Sequence, residues 1–201
     1  AYYKETLEHS GLNEEIREQT QKLIDRLRSE GHEVEEAKSS LLEYSLPTYY
    51  VLTAAEASSN LSRYDGARYG KRAESSDLEE MYKKSRTEGF GEEVKRRVMA
   101  GTFVLSASYY DAYYTKAQKV RRLIQKETNS LLEEFDFILS PTTPTTAFKI
   151  DELKDDPIQM YLEDLFTVQA NVVGIPAISI PISEDNQRLP IGIQLMSKSF
   201  N

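Results

Sequence analysis

From Leu165 to Ser183 the chain carries no formal charge, although 29% of its residues are charged. A run this apolar must be covered by other parts of the structure, which limits the folds open to the chain. Gly174, Pro176 and Pro181 interrupt it, so it does not read as a membrane span. It reads instead as a buried interior segment, a helix followed by a strand. Glu163 and Asp164 stand immediately before it, which raises the question of what a carboxylate does at the edge of such burial.

At 201 residues the chain can form one domain with a real core, or part of a larger one, and Tyr and Phe supply 20 large side chains. The net charge of −8 argues against this chain clamping a phosphate backbone by itself. Cysteine is absent, which excludes disulfides and thiolate metal sites. Nothing points to secretion, and a cytoplasmic location is expected. His9 and His32 sit in polar contexts far apart in the sequence, which argues against a histidine triad or a His-rich metal site. The first residue is Ala rather than Met and leads straight into an ordered pattern, so a piece of a longer protein is expected.

Asn13 predicts an N-cap with Glu14 and Glu15 in the first turn, followed by an apolar face of Ile16, Thr20, Leu23, Ile24 and Leu27. Gly31 stops this helix, and "HEVEEA" follows as a short edge strand. A second helix is predicted from near Pro47 through "TYYVLTAAEASSNLSR". "YDGARYG" then reads as a loop turning at Asp65-Gly66, and "ESSDLEEMYKKSRTEGFG" as a charged surface helix ended by Gly89. Two long helices follow from Glu92, joined at or near Ser106–Asp111, with a single bent helix as the alternative. "FDFILSP" predicts a buried strand closed by "SPTTPTT". A helix over 157–173 and the strands "AISIPI" and "GIQLM" complete an α/β pattern, a mixed sheet flanked by long helices.

Within that pattern, ideal helical spacing puts Asp164 on one face with Val168 and Asn171, apart from the main apolar face. Asp164 is then either a structural ion-pair partner or helix-start carboxylate, or a carboxylate for a cationic ligand group. The same geometry turns Arg97 of "EVKRRVMAG" inward beside Val94, Gly101 and Val104, with Arg96 pointing away. Gly101 leaves space beside the Arg97 stem. Arg97 either pairs with a structural carboxylate, Asp164 included, or offers its fork to a ligand carboxylate. "SPTTP", Ser140 to Pro144, places hydroxyls at a strand's C-terminal end, where open α/β sheets often bind ligands, although such clusters are commonly turns. The tyrosines of "PTYY" and "SYYDAYY" read as core and amphipathic surface rather than a platform for stacking bases.

Several segments in this order carry a resemblance: "LPTYYVLTAAEASSNLSRYDGARYG", "GFGEEVKRRVMAGTFVLSASYYDAYYTKAQKVR", "FDFILSPTTP" and "LEDLFTVQANVVGIPAISIPI". Nearly the whole chain resembles the C-terminal part of a family of glutaminase subunits, the A subunits of tRNA-dependent glutamyl/aspartyl amidotransferases, which are amidase-signature enzymes. The resemblance implies release of ammonia from glutamine by a serine nucleophile, a second serine and a lysine. It also implies a partner B subunit that uses ATP and Mg²⁺ to activate misacylated Glu-tRNA(Gln), and a small C subunit that belts the other two together. The tRNA is then met through the complex rather than through this chain.

In that family the Gly/Ser-rich signature and the catalytic lysine lie upstream of the matched region, and "EASSN" lacks the glycines that would expose a nucleophile and form an oxyanion hole. No catalytic residue and no cofactor or metal ligand is therefore assigned here. By motif, Tyr49 of "PTYY", Arg97 of "KRR" and Asp164 of "LED" fall on the family's substrate-binding positions. The resemblance gives Arg97 the α-carboxylate of glutamine, Asp164 its α-ammonium, and Tyr49 a rim contact. A different amidase-signature hydrolase and a stand-alone interaction module are the competing readings.

Overall fold

The helix signals of the N-terminal third are realised residue by residue in a computed structural model of the chain. The structure describes residues 1–150, 152 and 157–200. A two-residue strand β1 (Tyr2–Tyr3) and a single turn α1 (Lys4–Leu7) precede α2 (Glu14–Ser29). Asn13 caps α2 by accepting the Glu15 amide at 2.8 Å. Gly31 closes it at φ 92°, where a left-handed residue lets the His32 amide reach Leu27 O and the Gly31 amide reach Arg28 O. The short edge strand is β2 (Glu36–Ala37).

The helix predicted at Pro47 is α3 (Ser45–Asn60), and Asp77 caps α4 (Leu78–Gly89) through the Glu80 amide. Next comes α5 (Glu92–Val104), then a π-helical turn over Asp111–Thr115 that runs into α6 (Lys116–Glu134). Strand β3 (Ile138–Pro141) is fully buried. Helices α7 (Pro157–Leu162) and α8 (Val168–Val173) precede β4 (Ala177–Glu184) and β5 (Pro190–Met196). Among the described residues no helix is long and apolar enough to cross a membrane.

The described residues fall into two units, Ala1–Pro47 with Val120–Asn201, and Thr48–Lys119. The first holds a five-stranded mixed sheet in the order β2-β1-β3-β5-β4. β2, β1 and β3 run parallel, while β5 is antiparallel to β3 and β4 antiparallel to β5. Strand alternation divides its core in two. Tyr2, Leu139, Ile191 and Ile193 join Ile16 and Ile24 of α2, whereas Tyr3, Ile138 and Met196 join Leu132 and Ala170. In the second cluster buried Gln169 donates to Tyr3 Oη at 3.2 Å and to Thr128 Oγ1 at 3.0 Å, tying α8 to β1 and α6. Burial, the dominant cause, pushes the Tyr3 phenol above its ordinary value.

Two expectations for the uncharged run need correction. Its helix is broken: α7 ends at Leu162, residues 163–167 are successive turns, and α8 resumes at Val168. Its strand is not interior. β4 is the last strand of the sheet, and Ile178 is 59% and Ile180 37% exposed. Only the middle of the run, from Phe166 through Val173, is largely buried, and Gly174 at φ 82° ends it.

Candidate functional site

Arg97 and Tyr49 are carried by helices that cross at a glycine. A Cβ added to Gly101 of α5 would lie 2.0 Å from Ala54 O and 2.6 Å from Ser58 Cβ of α3, so only glycine allows this approach. A hydrogen bond of 3.0 Å between the Ser58 and Thr102 hydroxyls joins the same two helices. The missing side chain of Gly101 therefore serves a helix crossing rather than space for an arginine stem. Tyr49 lies five residues before Ala54 and Arg97 four before Gly101, within about 6–8 Å of the crossing along their helix axes at ~1.5 Å per residue.

Arg97 is not turned inward as the helical spacing predicts. Its side chain is 45% exposed and that of Arg96 54%, and both are held by Glu93 one turn earlier. Arg97 Nε donates to Glu93 Oε1 at 3.1 Å, and Arg96 pairs with Glu93 Oε2. The structural carboxylate on Arg97 is thus on its own helix. This bond uses Nε and leaves both terminal nitrogens of Arg97 without a hydrogen bond among the described residues. A guanidinium tethered at Nε still presents its other edge to a carboxylate.

Tyr49 is half-buried, with its ring edge-on to Tyr50 at 5.3 Å between centroids. Its hydroxyl makes no hydrogen bond among the described residues, so it remains available as donor or acceptor.

Asp164 belongs to the other unit and lies in the turn between α7 and α8, half-buried. Its carbonyl accepts from the Thr167 and Val168 amides at 3.0 and 3.1 Å and from Thr167 Oγ1 at 3.1 Å, which fixes the backbone of the turn. The shared helical face predicted for Asp164, Val168 and Asn171 is lost with the helix break: Val168 is buried and Asn171 exposed. Beside it, Glu163 accepts from Thr145 Oγ1 at 2.8 Å, and Thr146 Oγ1 donates to Asp185 at 2.8 Å. Buried Ser140 accepts from Gln194, and Thr142 shares a hydrogen bond with Ser179. The hydroxyls of "SPTTPTT" thus pin a loop.

One feature of the first unit had no sequence signal. A cavity of 540 Å³ is lined by Glu5, His9, Leu46, Leu162, Leu165 and Phe166, among others. Glu5 Oε1 accepts from the Ser39 amide at 3.2 Å, while Oε2 is buried without a hydrogen-bond partner among the described residues. Glu5 and Ser39 meet only through tertiary packing. Among the described residues no group of three His, Asp or Glu is placed to hold a metal ion.

A family model described as amidase matches residues 1–201. A protein of Desulforamulus reducens, named as the A subunit of Glutamyl-tRNA(Gln) amidotransferase, is 53% identical over 192 residues, covering 95% of this chain and 39% of the relative. One of the same name from Nitratiruptor sp. is 53% identical over 180 residues, covering 90% of this chain and 40% of the relative. The chain thus spans about two fifths of the relatives it matches. The crystal structure of the A subunit of Glutamyl-tRNA(Gln) amidotransferase from Thermotoga maritima superposes with a TM-score of 0.72 at 43% identity, over 99% of this chain and 38% of that one. The structure of 6-aminohexanoate cyclic dimer hydrolase gives a TM-score of 0.71 at 18% identity over 98% of this chain and 41% of that one, a likeness of fold alone. The chain belongs to the amidase family.

Proposed function

We propose that this chain is the glutamine-recognition part of the glutaminase subunit of a tRNA-dependent amidotransferase. The observation that carries the reading is the 53% identity, across 95% of the chain, to a protein named for the A subunit of that enzyme. Supporting it, Arg97 keeps two unbonded terminal nitrogens, the chemistry that an amino acid's α-carboxylate requires. In this reading Arg97 binds that carboxylate, Asp164 takes the α-ammonium and Tyr49 contacts the ligand at the rim.

The amide is cleaved by serine and lysine groups of the whole glutaminase that lie outside these 201 residues. The ammonia passes to the B subunit, where ATP and Mg²⁺ activate Glu-tRNA(Gln), with the small C subunit joining the other two in a cytoplasmic complex. The isolated 201-residue chain is expected to release no ammonia from glutamine above background, and serine-dependent turnover by it would overturn that.

The test is the full-length protein, offered glutamine and unrelated amides with and without charged tRNA and its partner subunits. Preferred hydrolysis of glutamine, with ATP-dependent formation of Gln-tRNA, is expected. Equal turnover of unrelated amides with no product on tRNA would show a different amide hydrolase.

A further inference from the structure

The net charge of −8 conceals a division between the two units. Thr48–Lys119 carries 12 Lys and Arg against 10 Asp and Glu, a net +2, so the remainder carries −10. The excess is concentrated between Arg63 and Ala73, where Arg63, Arg68, Lys71 and Arg72 face a single acid, Asp65.

That acid is spent on the backbone. Asp65 Oδ1 accepts from the Ala67 and Arg68 amides at 2.9 Å each, and Oδ2 from Arg68 Nε at 2.9 Å. Gly66 and Gly70 take φ of 79° and 86°, and a Cβ on Gly66 would fall 2.5 Å from Ser85 Oγ, which accepts the Ala73 amide at 2.9 Å. Arg86 donates to Leu61 O and Tyr64 O from α4. The loop backbone is therefore fixed from several directions while Lys71, Arg72 and the Tyr69 ring stand in solvent and exposed Arg63 donates from Nε to Asn60 O at 3.0 Å. Tyr69 is 60% exposed and Tyr64 lies beside it at 6.3 Å between centroids. Arg63, Lys71 and Arg72 are exposed and make no ion pair among the described residues. Downstream, Asp77 is turned to the α4 cap, Glu79 to Lys83 and Glu80 to Lys84, which leaves exposed Glu74 as the acid next to the loop in sequence.

We propose that the Arg63–Ala73 loop of the second unit is a docking surface for an RNA strand, with Arg63, Lys71 and Arg72 on phosphates and Tyr69 stacked on an unpaired base. Unpaired cations beside exposed aromatic rings match the two recurring needs of single-stranded nucleic acid, charge along the backbone and a π-face for the base. A pre-ordered loop lowers the entropy lost on binding. Arginine and tyrosine also serve protein interfaces, but four cations around a single acid would then need an equally acidic partner face, and the test below reads that outcome. The choice of tRNA as probe rests on the function proposed above, and the proposal departs from the expectation that tRNA is met through the complex rather than through this chain by adding a contact here to those of the B subunit.

The experiment measures the affinity of the full-length protein for a fluorescein-labelled, unacylated tRNA transcript between 50 and 200 mM salt, about the range over which counterion release is read. Glutamine hydrolysis is followed on the same samples. The triple variant Arg63→Ala/Lys71→Ala/Arg72→Ala is expected to lower the slope of log K against log salt by about 2 to 3. Tyr69→Ala is expected to weaken binding about 5-fold or more with the slope unchanged. A charge-preserving Arg63→Lys/Arg72→Lys variant should keep the slope, and all variants should hydrolyse glutamine as the parent does.

Parental protein that does not bind tRNA at low salt, or a triple variant that keeps both affinity and slope, overturns the proposal. Unchanged tRNA binding with loss of an acidic partner protein from the complex assigns the loop to a protein instead. Absence of glutaminase in every sample would sink the proposed function and leave the binding result standing.

Discussion

Replacing Gly101 by alanine should loosen the crossing of α3 and α5, although the same change in an open helix would be stabilising. An unhindered helical Gly→Ala substitution gains about 0.5–1 kcal/mol, because alanine loses less backbone freedom on folding. Here the new Cβ meets Ala54 O at 2.0 Å and Ala54 C and Ser58 Cβ at 2.6 Å each. Restoring a non-bonded separation of about 3.5 Å requires the helices to part by roughly 1.5 Å. Overpacking of this kind costs about 1–3 kcal/mol, and parting also breaks the Ser58–Thr102 hydrogen bond, worth about 1 kcal/mol. The net expectation is a loss of about 1–3 kcal/mol, read as a lowered denaturation midpoint of the full-length protein by circular dichroism. Because Tyr49 and Arg97 ride on these two helices, a rise in KM for glutamine should accompany it. An unchanged or raised midpoint would show that the helices yield freely, and the reasoning would fail on its sign.

Three further outcomes are expected. Amide hydrogen bonds from Arg68 and Ala67, in that order, hold the Asp65 carboxyl down to about 2 from its ordinary 3.8. The folded value lies below the unfolded one, so its contribution is complete above about pH 4–5 and lost as pH falls through about 2. Hydrogen exchange of residues 64–73 should stay protected at pH 5 and open only in that acid range, and opening already at pH 5 would contradict the capping role. Ile178→Lys on the exposed strand β4 should reduce self-association of the 201-residue chain in sedimentation velocity, and an unchanged distribution would clear that edge. Gly31→Ala meets no atom within 4 Å, so any loss, about 1 kcal/mol in a denaturant titration, reports the left-handed φ of 92° alone.

Local chemistry was the most legible part of the sequence. Asn13, Gly31 and Gly89 mark helix ends because each acts on its neighbours alone, and the structure places helix boundaries at all three. The break at 163–167 was hidden because Leu162, Leu165, Phe166 and Val168 keep a helical apolar rhythm through it, with no Gly or Pro to punctuate the turn. The exposure of β4 was hidden for another reason. An apolar run reports a surface that needs cover and says nothing of whether this strand lies inside the sheet or at its edge. Arg97 and Arg96 look different on a helical wheel, yet a flexible Glu93 one turn away gathers both. The Arg63–Ala73 loop was masked by averaging, since a net charge over 201 residues cannot show that one unit is basic.

The central claim is that this chain reads the amino-acid end of glutamine through Arg97. It is tested most directly by glutamine kinetics of the full-length protein carrying Arg97→Ala, with Arg96→Ala as the neighbouring control on the same Glu93. Loss of a charge-assisted hydrogen bond worth about 1.5–3 kcal/mol should raise KM about 10- to 150-fold for Arg97→Ala, with kcat little changed and the fold intact. Arg96→Ala should stay near the parental KM. Equal KM values for the two variants and the parent would contradict the account.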